Sequence, residues 1–85
     1  MESRDRILVT FGNILREYRQ LAGYTQEGLA LRCNLDRTFI SMLERGVKQP
    51  SMVTLFTLAE TLMVTPSKIL QSTEERLSDK NQSDD

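Results

Sequence analysis

Apolar residues recur along this chain at the three-and-four spacing of amphipathic helices. The first run predicts a helix with one buried face, formed by Ile7, Phe11, Ile14, Leu15, Tyr18, Leu21 and Ala22. Gly23 is expected to end this helix, because glycine readily takes the left-handed conformation found at helix ends. Residues 1–6 are polar and are expected to form a flexible N-terminus.

Two short helices are predicted next, joined by a tight turn. The first spans Gln26–Cys33 and is capped by Thr25, and the second spans roughly residues 37–45 between an Asp36 N-cap and Gly46. Their inward-facing apolar residues are Leu29, Ala30 and Cys33 on the first, and Leu35, Ile40 and Leu43 at the second. Such a pair is a helix-turn-helix, whose second helix enters the major groove of DNA.

The outward face of the second short helix carries the candidate base-reading residues Arg37, Thr38, Ser41 and Met42. Three of these side chains form hydrogen bonds of the kind that distinguish base-pair edges, and an arginine can bond two acceptors of guanine at once. The alternative is that they are ordinary surface residues of an amphipathic helix. The adjoining helix and turn favour the DNA-reading interpretation.

Residues beside this helix are candidates for contacts with the DNA backbone. Arg45 and Lys48 bracket Gly46 and place two cations in a loop next to the expected groove. Phe39 has three possible roles: touching a thymine methyl group, packing along the sugar-phosphate edge, or covering the core.

A fourth and a fifth helix complete an all-α, compact five-helix bundle. Ser51 caps a helix over Met52–Leu62, and Thr65 followed by Pro66 opens the last helix. The inward stripe of the fourth helix comprises Leu55, Leu58, Ala59 and Leu62. The apolar residues left over are Phe56, Met63, Val64 and Ile69, which suit a two-fold interface, although core packing accounts equally well for Val64 and Ile69.

The segment from Phe11 to Leu70 resembles the Cro and lambda-repressor superfamily of helix-turn-helix regulators, the XRE family. The matching pieces are TQEGLA from Thr25, ISMLERG from Ile40, Pro50 with Ser51, and LAETLMVTPSKIL from Leu58. Their order and spacing fit without a gap. The resemblance implies a lambda-repressor-like domain over residues 7–70 that binds double-stranded operator DNA.

The resemblance also implies roles for individual residues. Arg19 is expected to pair with Glu44 and fix how the reading helix sits on the scaffold, since a buried charge needs its partner. Gln26 is expected to donate to a DNA phosphate at the start of its helix. Many family members dimerise on the face assigned above to Phe56, Met63, Val64 and Ile69.

Net charge gives weak support for nucleic acid binding. The chain carries 11 Lys and Arg against 12 Asp and Glu, a net charge of −1. Residues 1–70 hold nine cations against seven anions, hence +2, whereas residues 71–85 hold two against five, hence −3. The clustering of cations on one face therefore matters more than the total.

Composition excludes several classes of function. The single cysteine, Cys33, cannot form an intramolecular disulfide, and the absence of histidine removes the common metal sites and Ser/His or Cys/His triads. We therefore expect no catalytic residue, no metal, no cofactor and no small-molecule ligand. No membrane-spanning run and no signal-peptide pattern are present, which favours a cytoplasmic protein.

The last fifteen residues form a polar, acidic tail. Leu77 is its only large apolar residue, so the tail over residues 71–85 is expected to be disordered beyond a frayed end of the fifth helix.

We conclude from the sequence that this is a homodimeric transcriptional regulator and not an enzyme. Within the family, short single-domain members that carry LDRTFIS at this place, as this chain does, resemble controller proteins of restriction-modification systems. RNA polymerase is a candidate partner. The alternatives are a phage-type repressor and an antitoxin that uses the same fold to bind a protein.

Overall fold

The computed structural model describes residues 3–82, and over that range the chain forms five helices and no strand. Their bounds are α1 Arg4–Leu21, α2 Gln26–Cys33, α3 Arg37–Glu44, α4 Met52–Leu62 and α5 Pro66–Gln82. Helix α1 packs against α3 and α5, α2 packs against α3 and α4, and α4 packs against α5. The predicted all-α five-helix bundle is confirmed.

Side-chain caps fix where most of the helices begin. The hydroxyls of Thr25, Ser51 and Thr65 accept from backbone N–H groups three residues ahead, at 2.9, 3.0 and 3.1 Å respectively. These three predicted caps are confirmed. Asp36 stands at the N-cap position of α3, but its exposed carboxylate makes no capping hydrogen bond, so that part of the prediction is wrong.

Left-handed residues close the helices and set the turns. Asn34 ends α2 with φ of 56° and directs the chain into the short turn before α3. Gly46, with φ of 76°, follows α3 as predicted. A left-handed residue therefore follows each helix of the helix-turn-helix.

One apolar cluster joins all five helices. Its largest members without solvent exposure are Leu15, Leu29, Ile40, Leu43, Leu58 and Ile69. Ile69 of α5 is therefore a core residue, and its prediction as part of a dimer interface is wrong. Its side chain faces the bundle, whereas its neighbours Lys68 and Leu70 are exposed.

The two ends of the domain differ from the sequence prediction. Helix α1 begins at Arg4, three residues before Ile7, because the Ser3 hydroxyl accepts from the backbone N–H of Arg6 at 3.2 Å. Residues 1 and 2 of the predicted flexible N-terminus lie outside the described residues.

The prediction of disorder after residue 71 is wrong for residues 71–82, which continue α5. Thr73 is buried in this stretch, and its hydroxyl donates to the backbone carbonyl of Ile69 at 2.9 Å. Polar contacts with α1 hold these residues in place, although the segment has few apolar residues to bury. Residues 83–85 of the predicted tail lie outside the described residues.

No single helix between residues 3 and 82 is long and apolar enough to cross a membrane. Helix α4 and residues 66–79 of α5 reach that length and apolarity only together, across a bend of 100°.

Candidate DNA-recognition surface

Helix α3 has one buried face and one face open to solvent. Ile40 and Leu43 are fully buried, whereas Arg37 and Thr38 are exposed. Ser41 and Met42 are partly exposed beside them. The four residues predicted to read bases therefore remain accessible on a helix whose other side is anchored in the core.

A buried carboxylate anchors the end of α3. The Glu44 side chain has no solvent exposure and accepts from Arg19 Nε at 2.6 Å and Arg19 Nη2 at 3.0 Å. The predicted ion pair is confirmed. Arg19 Nη1 also donates to the backbone carbonyl of Tyr24 at 2.9 Å, which connects α1 and α3 to the turn before α2.

Two further donors complete the environment of Glu44. Gln26 Nε2 donates to Glu44 Oε1 at 3.1 Å, and Arg16 Nε donates to the same oxygen at 3.4 Å. Burial alone would raise the pKa of Glu44, but the hydrogen bonds from Arg19 and Gln26, the charge of Arg19 and the hydrogen bond from Arg16 outweigh it and hold the pKa below its usual value. The carboxylate is therefore charged at neutral pH.

Gln26 and Arg16 change the sequence-based picture of this site. The family resemblance predicts that Gln26 donates to a DNA phosphate, but one of its amide N–H groups donates to Glu44, which leaves the other for a ligand. Arg16 was not singled out from the sequence. Its only signal there is its position three residues before Arg19, which places both on one face of α1.

Backbone meets backbone where α1 crosses the end of α3. A Cβ built on Gly12 would lie 2.4 Å from the carbonyl oxygen of Glu44 and 2.5 Å from that of Leu43. A Cβ on Gly46 would lie 2.7 Å from the Cα of Val9. The absence of side chains at both glycines allows the close approach of α1 to this end of α3.

The residues predicted to contact the DNA backbone take different positions. Arg45 and Lys48 are exposed on either side of Gly46, where their charges are open to a ligand. Phe39 is partly buried and packs against the apolar core. Of the three roles left open for Phe39, the structure shows the core-covering one.

An apolar strip lies on the outside of α4 and at its end. Phe56 is 57% exposed and Met63 is 90% exposed, so both side chains are accessible on the surface. Val64 is partly buried and packs against the core. Sequence reasoning missed Met52 and Val53, which are exposed at the start of the same helix and line one surface groove with Phe56.

Comparison with known proteins places this architecture in a family. The helix-turn-helix family model matches residues 15–69. The chain is 34% identical over 70 residues to control protein C.BamHI of Bacillus amyloliquefaciens, an alignment covering 81% of this chain and 86% of the relative.

Two solved structures are similar as well. The restriction-modification controller protein C.AhdI of Aeromonas hydrophila has a TM-score of 0.71 and 40% identity, covering 73% of this chain and 94% of that protein. SinR, a master regulator for biofilm formation solved in complex with DNA, has a TM-score of 0.68 and 26% identity, covering 71% of this chain and 97% of that one. The chain belongs to the XRE-type helix-turn-helix family of DNA-binding transcriptional regulators.

Proposed function

We propose that this protein binds a two-fold symmetric operator as a homodimer and regulates the genes of a restriction-modification system. The observation that carries the proposal is the exposed polar face of α3 on a helix locked to the scaffold through buried Glu44. The relatives named as control proteins support the choice of regulated genes.

The proposed contacts divide into two classes. Arg37, Thr38, Ser41 and Met42 read base edges, with Arg37 at the first position of α3. Arg45, Lys48 and the free N–H of Gln26 bind phosphates, which sets the register of the helix and the salt dependence of binding.

The proposed dimer buries the apolar strip of α4. Met52, Val53, Phe56 and Met63 together present more exposed apolar surface than a single scattered side chain would. In the proposed dimer each α3 helix enters one of two successive major grooves, with half-sites about 10 base pairs apart.

Selection of bound sequences from a random duplex pool at fixed salt tests the operator. We expect enrichment of a two-fold symmetric site with half-sites about one helical turn apart. The same site should occur upstream of the protein's own gene and control a reporter there. Failure to enrich any sequence would overturn the operator proposal, and a site absent from restriction-modification promoters would overturn the assignment of target genes.

Two substitutions separate the contact classes. Arg37→Ala should reduce discrimination at one base step by about 1–3 kcal/mol. Lys48→Ala should weaken binding to all sequences alike and lower the slope of log affinity against log salt by about one unit. Uniform losses from both would show that α3 does not read bases through this face.

Sedimentation equilibrium tests the dimer with a matched pair of variants. Met63→Asn removes apolar surface at a left-handed position (φ of 62°) that asparagine tolerates, so the fold should be retained while association weakens. Leu21→Asn is the control. Leu21 is 83% exposed, close to the value for Met63, but it lies at the end of α1. Equal dissociation constants for the two variants would contradict the proposed interface.

A further inference from the structure

We propose that Arg16 binds the DNA backbone, and that Arg16 and Gln26 together form one phosphate clamp organised by the buried carboxylate of Glu44. The inference rests on the proposed DNA-binding mode and adds a residue and a positioning device to it. It places a phosphate contact on α1, outside the helix-turn-helix itself.

The geometry of Arg16 leaves most of its guanidinium available. Its Nε lies 3.4 Å from Glu44 Oε1, and its side chain is 43% exposed, whereas the Arg19 side chain is 11% exposed. Within the described part of the chain, the Arg16 terminal nitrogens make no hydrogen bond. Arg16 is thus tethered at one nitrogen, and its two terminal nitrogens keep their donors for a ligand.

The charges around Glu44 do not balance. One buried carboxylate faces two guanidinium groups, and Arg19 takes the two short contacts. Arg16 makes the longest contact, to an oxygen that already accepts from Arg19 and Gln26. The local excess of one positive charge resides on the exposed arginine, where an anion can approach it.

Gln26 links Arg16 to the candidate recognition surface through Glu44. Its amide and the Arg16 guanidinium both contact Glu44 Oε1, so one carboxylate oxygen holds both groups. Gln26 and Arg37 also line one surface depression, which runs from the start of α2 to the exposed end of α3. The Gln26 side of the clamp therefore adjoins the face proposed to read bases.

A phosphodiester fits the donors that remain. The planar guanidinium of Arg16 offers its terminal N–H groups to one or two phosphate oxygens, and Gln26 retains one N–H for the same group. Glu44 holds both side chains from behind, which reduces the conformational entropy that they would otherwise lose on binding. The carboxylate thus positions the contact without touching the ligand.

The experiment measures affinity for one defined duplex across a salt series, for wild type, Arg16→Ala and Arg16→Lys. We expect Arg16→Ala to bind about tenfold more weakly, with a salt slope shallower by about 0.9, because one fewer counterion is released. Arg16→Lys keeps the charge but loses the fork, so it should retain the slope and lose part of the affinity. Lys68→Ala, which removes an exposed charge from α5, controls for net charge and should leave the slope unchanged.

Urea unfolding of the same variants separates a contact from a purely structural role. If Arg16 serves only to neutralise Glu44, Arg16→Ala lowers stability while the salt slope stays that of the wild type, and the clamp is overturned. If the wild type binds DNA sequence-selectively but Arg16→Ala leaves the salt slope unchanged, the clamp is rejected and the operator proposal stands. A shallower slope in a protein that selects no sequence would support the clamp and reject the operator.

Discussion

Helix α1 holds two other helices, and it does so in opposite ways. Against α3 it uses backbone contact at Gly12 and an ion pair from Arg19 to Glu44 whose carboxylate is fully buried. Against the second half of α5 it uses surface contacts, in which Arg76 donates to Glu17 at 2.6 and 2.9 Å.

Solvent decides how strongly each contact constrains its helix. The side chains of Arg76 and Glu17 are 37% and 50% exposed, so water competes with their attraction and the pair contributes little. Loss of Glu44 would leave the nearly buried Arg19 guanidinium without its counter-charge. The position of α3 is therefore tightly specified, whereas the end of α5 is held weakly.

The largest effect should come from Glu44→Gln. This change keeps the side-chain shape but leaves the Arg19 charge uncompensated in the interior, which should cost about 3–5 kcal/mol of unfolding free energy. Urea denaturation measures it. The double variant Arg19→Met with Glu44→Leu should lose less unfolding free energy than the sum of its two single changes. A loss below about 1 kcal/mol for Glu44→Gln would contradict the anchoring role.

Gly12→Ala tests the backbone contact on the same side of α1. The added methyl group would meet carbonyl oxygens of α3 that cannot swing aside, so we expect destabilisation of about 1–3 kcal/mol despite the better helix propensity of alanine. Thermal unfolding of Gly28→Ala is the matched control. There the nearest atom is the Thr25 hydroxyl oxygen at 3.2 Å, and the change should be close to neutral. Similar losses of stability in Gly12→Ala and Gly28→Ala would contradict a special role for the backbone contact at Gly12.

Acid titration should separate the two contacts by their carboxylates. The pKa of Glu44 is lowered in the folded protein, as is the pKa of Glu17, chiefly through its hydrogen bonds from Arg76. Stability from a lowered carboxylate pKa is present above the unfolded value near 4.5 and is lost as pH falls through the folded value. The unfolding free energy, measured from pH 6 downward, should depend less on pH in Glu44→Gln than in Glu17→Gln. The reverse order would contradict the comparison.

A small effect is expected at the surface pair. Arg76→Ala should lower the unfolding free energy by about 0.2–1 kcal/mol, since the pair is largely solvated. Hydrogen exchange should localise the change to the end of α5 and leave α3 unaffected. A loss as large as that of Glu44→Gln would mean that α5 secures the whole bundle.

The short helices were predictable because their signals are local. Thr25 and Ser51 lie three residues from the N–H groups that they cap, and Ile40 and Leu43 are separated by one helical turn, so the sequence pattern contains the relevant partners. Asp36 shows the limit of such reasoning, since residue type predicts a cap but not where an exposed carboxylate points.

Contacts distant in sequence account for what the pattern missed. Tyr18 bonds Ser72 at 2.8 Å and Glu17 bonds Arg76, which gives the polar segment of α5 a support that its composition does not reveal. The sequence also gives no sign of the role of Gly12, because a glycine within a periodic helix does not indicate that another backbone passes close to it. Arg16 becomes informative only when α3 brings Glu44 to it.

The division of α3 into a buried and an open face also bears on how this protein can change. Ile40, Leu43 and Glu44 carry the attachment to the bundle, while Arg37 and Thr38 project into solvent. A library randomised at the two exposed positions should therefore retain the parental melting temperature in most members while yielding different preferred operators. New regulatory circuits would then diverge from a common ancestor by a few substitutions, without first acquiring a compensating change in the scaffold.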